Sequence, residues 1–122
     1  MKSEQNLYEL TSQLLSYVEE ASARFQEIKS SGIEADFYGE VKPFADKVKE
    51  LNDNWKQEAI AWLKETAPKN LHLNQIEATS DHIEVISVQA FFPQTSRKRF
   101  IDQLQSVKYV LANIMAQLDS KE

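Results

Sequence analysis

Two glycines, Gly32 and Gly39, and three prolines, Pro43, Pro68 and Pro93, are the only strong chain breakers in 122 residues. A chain punctuated so rarely forms long elements, which favours helices over many short strands. The apolar pattern agrees. Leu7, Leu10, Leu14, Val18, Ala21, Phe25 and Ile28 recur at steps of three and four. So do Phe37, Val41, Phe44, Val48, Leu51, Trp55, Ala59 and Trp62, and later Phe100, Leu104, Val107, Leu111, Ile114 and Leu118. Such steps lay one apolar stripe along each helix.

A third segment, between the second and last stripes, is weaker: Ile76, Ile83, Ile86 and Ala90, with Thr79 and Ser80 in the gap. Residues 83–88, IEVISV, are β-branched enough to suggest a strand. A lone strand would leave its backbone groups unpaired, so the segment is expected to be helical. The links, about 30–35, 66–71 and 91–95, are short and force sequential helices to run antiparallel. The expected fold is all-α, a single domain over 1–122: an up-down-up-down four-helix bundle. Pro43 lies inside the second stripe, where a mid-helix proline costs about 3 kcal/mol. A short turn over 36–41 with a kink or restart at Pro43 avoids that cost. The restarted helix, ending near Glu65, and the last helix, 96–119, would then both be about 35 Å long.

Four stretches carry a family resemblance: VKPFADKV, the Trp55 to Trp62 spacing, PKNLHLNQIE and SVQAFFPQTSRKRF. Together they resemble the YppE-like family of Bacillus and its relatives, grouped under a domain of unknown function. The resemblance implies a four-helix bundle, a cytoplasmic location and no assigned activity, and it supplies no catalytic residue.

Charge and composition narrow the function classes. The formal net charge is −5, which disfavours binding along a nucleic-acid backbone, where a broad basic surface is needed. Cysteine is absent, so there are no disulfides or thiolate-bound metals, which suits a reducing cytoplasm. The N-terminus lacks a signal-like apolar stretch, and the longest apolar run, Ala59 to Leu63, is too short to span a bilayer. Two glycines cannot build a phosphate-cradling loop. His72 and His82, ten apart, match neither the zinc-protease nor the di-iron spacing. Ser80, Asp81 and His82 are adjacent on one helix and would not face each other. No catalytic, metal or cofactor residues are therefore assigned. Trp55 and Trp62 share a face and are expected in the core, with a ligand pocket between helices as the alternative. Lys47, Lys49, Lys56 and Lys64 alternate with acids, which describes a solvated face.

One place breaks a local rule. With Thr95 as N-cap, Arg97, Lys98 and Arg99 occupy the first turn of the last helix. Cations there oppose the helix dipole at about 0.3–1 kcal/mol each. The expected remedy is ion pairing with nearby acids: Glu27, Glu34, Asp36, Glu40, Asp46 or the local Asp102. Phe91 and Phe92 would pack near Phe25, Phe37, Tyr38 and Phe44 and close that end. The candidate binding residues are Phe92, Thr95, Ser96, Arg97, Lys98 and Arg99, receiving an acidic or phosphorylated protein partner. The expected role is a small cytoplasmic interaction or adaptor protein. The rivals are a module or enzyme for a small anion held between helices, and a homodimer through apolar residues such as Leu15, Ile101 and Met115.

Overall fold

The computed structural model describes residues 2–119. Four long helices account for most of them: α1 (Lys2–Ser31), α2 (Lys42–Thr66), α3 (Leu73–Gln89) and α4 (Arg97–Asp119). No strand occurs among the described residues, and 83–88 lies within α3. Consecutive helices pack side by side and α4 returns to α1, so the four form a closed antiparallel ring.

Each helix boundary has a local cause. Gly32 ends α1 in the left-handed region, at φ 69°, with its N–H donating to the Ile28 carbonyl at 2.8 Å. Glycine adopts that conformation without a Cβ penalty. Ala67 ends α2 the same way at φ 44°, its N–H on the Leu63 carbonyl at 3.0 Å. At the head of α3 the His72 N–H donates to the Gln75 side chain at 2.8 Å, half of a capping box. At the head of α4 the Ser96 hydroxyl accepts from the Arg99 N–H at 3.3 Å. Ser96, rather than the expected Thr95, is thus the N-cap.

The break near Pro43 takes a specific form. A single π-helical turn, Phe37–Val41, leads into α2, and Pro43 falls within the first two positions of that helix. The Val41 N–H donates to the Asp36 carbonyl at 3.2 Å, five residues back. Proline lacks an N–H and its ring collides with the carbonyl four residues earlier, here that of Gly39. A widened turn moves that carbonyl aside. It also changes the register of the stripe. Phe37 and Tyr38, expected to close the core, are 46% and 79% exposed.

The interior otherwise follows the stripes. Leu14, Phe25, Trp55, Ala59, Ile76, Val107, Leu111 and Ile114 are buried completely. Phe25 stacks on Phe100 with centroids 4.0 Å apart, joining α1 to α4. Phe91 meets Phe44 edge to face at 5.4 Å, closing the end as expected of Phe91. Two polar contacts cross the core. The Trp55 indole N–H donates to the Thr11 hydroxyl at 3.0 Å, and that hydroxyl donates to the Leu7 carbonyl at 2.7 Å. The Asn52 amide donates to the Ser80 carbonyl at 2.9 Å. Leu15, Ile101 and Met115 are half-buried, and Leu15 and Ile101 pack against the core, so no broad apolar stripe is left on their faces.

Candidate functional site

The link between α3 and α4 is built from turns that carry their own polar satisfaction. The Thr95 N–H donates to the Phe92 carbonyl at 3.1 Å around Pro93, whose fixed φ suits the second position of such a turn. The Thr95 hydroxyl donates to the Gln89 carbonyl at 2.7 Å, with the Gln89 Oε1 3.0 Å away. That bond ties the corner to the end of α3, which is why Thr95 does not cap α4. From α1, Lys29 Nζ donates to the Pro93 carbonyl at 2.9 Å. The corner is thereby fixed to the end of α1.

The three cations diverge. Successive residues on a helix point about 100° apart, so a run of three cannot converge. Arg97 turns toward α1, with its guanidinium 5.9 Å from the Phe25 ring centroid and Nη1 donating to Gln26 Oε1 at 3.4 Å. Lys98 pairs with Asp102 one turn on, at 3.1 Å. Arg99 makes no ion pair among the described residues and faces the corner between α3 and α4.

Neutralisation by the acids near α2 does not occur. Glu40 is held by Arg24 of α1, through Nε at 2.5 Å and Nη2 at 2.8 Å. Arg24 also reaches Glu27 at 3.5 Å, and Asp46 pairs with Lys42 at 2.8 Å. Of the acids expected to serve the corner, Asp102 alone does so. Arg24 was the cation best placed for Glu40, because both border the same hollow between α1 and the π turn.

The hydrogen bonds from Arg24 hold Glu40 below the usual carboxylate range, with partial burial opposing them and the positive charge assisting. A depressed acid pKa contributes stability above the ordinary carboxylate pKa and loses it as pH falls through the lowered value. Glu40→Gln should therefore flatten the acid limb of the stability–pH curve. At neutral pH it should cost about 1 kcal/mol or less, because both partners are partly solvated. Thermal melts across the acid range check the first effect. Hydrogen exchange at residues 38–42 checks the accompanying loosening of the π turn.

Arg99 shares an open hollow of about 840 Å³ with Val85 and Gln89 of α3, Phe92, Gln94, Thr95 and Ser96 of the link, and Phe100 and Gln103 of α4. Four of the six sequence-derived candidates, Phe92, Thr95, Ser96 and Arg99, meet there. Arg97 and Lys98 do not. The glutamines carried no signal of their own, since a glutamine on a helix reads as solvated surface. Their placement on facing helix ends beside the link was the available clue.

A second open hollow, about 500 Å³, lies over Tyr17, Arg24, Glu40, Phe44 and Phe91 between α1 and the π turn. Beside Trp62 lies a recess of about 30 Å³, room for a water. No group of three or more His, Cys, Asp or Glu side chains suited to a metal occurs among the described residues. Ser80 is buried and Asp81 exposed, so Ser80, Asp81 and His82 form no relay. No helix among the described residues is long and apolar enough to cross a membrane.

Comparison with known proteins matches residues 11–118 to the model of a bacterial domain of unknown function, DUF1798. The uncharacterised protein YppE of Bacillus subtilis (strain 168) is 35% identical over 107 residues, which cover 88% of this chain and 87% of that one. A crystal structure of a Listeria innocua protein of unknown function superposes with a TM-score of 0.93 at 29% identity, covering 98% of this chain and 95% of the other. The crystal structure of Bacillus subtilis YppE gives 0.89 at 33% identity, covering 96% and 98%. A Staphylococcus aureus member of the DUF1798 family gives 0.86 at 29% identity, covering 93% and 96%.

Proposed function

The chain belongs to the bacterial DUF1798 family, and on that premise we propose that it is a cytoplasmic interaction protein whose contact site is the hollow between α3 and α4. The observation that carries this reading is Arg99. It is an exposed guanidinium with no ion pair among the described residues, on the rim of a hollow otherwise lined by amides, hydroxyls, aromatic rings and Val85. A planar fork of N–H donors suits a carboxylate or phosphate in two-point contact. Of the backbone N–H groups that open α4, that of Arg99 is capped by Ser96, while those of Arg97 and Lys98 have no partner inside the helix and add donors at the same end. Phe92 gives such a partner an apolar surface beside the charge.

The site carries recognition but no chemistry: no nucleophile–base pair borders it, and its only charged lining group is Arg99. Titration of isotope-labelled protein with an acidic peptide, followed by amide NMR, tests this. Shifts should concentrate at residues 92–103 and weaken by about tenfold or more in Arg99→Gln, the loss expected when a central charged contact is removed. Shifts spread evenly over the surface, or unchanged by that substitution, would overturn it.

A further inference from the structure

We propose that the acidic partner of this hollow is a second copy of the chain, docked end to end so that the α1–α2 link of each copy enters the α3–α4 hollow of the other. The inference rests on the hollow being a contact site, as argued above. Its own observation is the α1–α2 link. Ile33 and Tyr38 there are 70% and 79% exposed, and Phe37 stands edge to face with Tyr38 at 5.1 Å. Apolar residues grouped like this on a surface mark interaction sites more often than scattered ones do. Glu34 and Asp36 flank them, both exposed and without an ion pair among the described residues. The link is not a loose loop, because the π turn and the two bonds from Arg24 to Glu40 hold its second half against α1.

The two features are complementary in chemistry. The link offers carboxylates, aromatic rings and a phenol. The hollow offers the Arg99 guanidinium, the half-buried ring of Phe92, and the amides of Gln89, Gln94 and Gln103. The topology makes them complementary in position as well. Both lie at the same end of the bundle, since Arg97 reaches Gln26 and Lys29 reaches Pro93. In the ring of helices, the α1–α2 edge is opposite the α3–α4 edge. A twofold axis perpendicular to the bundle, through the gap between two stacked ends, exchanges opposite edges. Each link then faces the other copy's hollow, and the contact closes as a symmetric pair. The net charge of −5 makes two copies repel elsewhere, so the cationic corner is where an acidic copy can approach.

The end of a four-helix bundle is about 20 Å across. Such an end buries roughly 800 Å² in total, below the range of stable interfaces and within that of weak, transient ones. The association should therefore be reversible and salt-sensitive. Sedimentation equilibrium on the full chain from about 10 μM to 1 mM tests it, the range in which such interfaces populate both states. The expected result is a monomer–dimer equilibrium that weakens with added salt. Tyr38→Ser should weaken it by about tenfold or more. Two charge reversals make the assignment specific: Glu34→Lys with Asp36→Lys in the link, and Arg99→Glu at the corner. All three side chains are exposed, and an acid in the first turn of α4 suits its dipole, so folding is not at risk.

Each reversed protein alone should be monomeric, because like charges then face each other. Mixed in equal amounts they should pair, since both contacts again join opposite charges. A monomer throughout the range would overturn the proposal. So would a dimer indifferent to the reversals, or reversed proteins that fail to pair when mixed. If the chain is monomeric while the acidic peptide still shifts residues 92–103, self-pairing fails and the hollow as a contact site stands. If neither occurs, both readings fail.

Discussion

Truncating Trp55 to alanine is expected to cost about 3–5 kcal/mol, the range for deleting a large aromatic from a packed interior. That is comparable to half the stability of a domain this size. Trp55 has no exposed surface and lies where α2 meets α1. Two losses combine. The indole leaves a cavity that rigid helices cannot collapse to fill. The Thr11 hydroxyl also loses the N–H that donates to it at 3.0 Å. The Thr11 loss is the smaller one, because the hydroxyl keeps its bond to the Leu7 carbonyl at 2.7 Å. Trp55→Phe separates the two. It retains most of the ring volume and removes the donor, so it should cost about 1–3 kcal/mol. Urea unfolding followed by far-UV circular dichroism measures both. Equal costs for the two variants would mean that the hydrogen bond, rather than ring volume, dominates at this site.

The stripes were legible because burial on a helix repeats every 3.6 residues, and each helix here buries one face. Leu14, Phe25, Trp55, Ile83 and Leu111 are where the period puts them. Pro43 announced a break but not its shape. Whether the chain widens into a π turn depends on the carbonyl it must clear, and that choice turned Phe37 and Tyr38 outward. At the corner, the number of cations was legible and their directions were only partly so. The four-residue step from Lys98 to Asp102 is a local pair visible in the sequence. The use of Glu40 by Arg24 is not, because it depends on where the π turn sets Glu40 relative to α1. Both Thr95 and Ser96 are good capping residues, and the carbonyl of Gln89, six residues before Thr95, decided between them. The hollow itself belongs to the gap between two helix ends. Its shape is set by the link and the crossing of α3 and α4, which no single residue spacing records.

Asn52→Asp is expected to destabilise the fold by about 3–5 kcal/mol at neutral pH, the cost of leaving a charge buried and uncompensated. The substitution is nearly isosteric, so packing barely changes and electrostatics alone is tested. Asn52 has no exposed surface, and its amide donates to the Ser80 carbonyl at 2.9 Å. An aspartate there would turn a carboxylate oxygen toward that carbonyl. The Asn52 Oδ1 has no protein donor among the described residues, so no side chain or backbone N–H there is placed to stabilise a negative charge. Burial would raise the aspartate's folded-state pKa above its unfolded value. The folded protein would then bind a proton more readily than the unfolded chain, and stability should rise as pH falls toward the unfolded pKa. The protonated acid can donate to the Ser80 carbonyl as the amide did, so much of the loss should be recovered. Denaturant midpoints at neutral and mildly acidic pH, compared with the parent chain, measure the effect. Asn52→Leu completes the test. It introduces no charge and removes the unsatisfied oxygen, and the Ser80 carbonyl keeps its place in the α3 ladder. Its cost should be smaller than that of the aspartate and independent of pH. A pH-independent loss in Asn52→Asp would mean that water reaches the site and that the centre of the bundle is less dry than its packing implies.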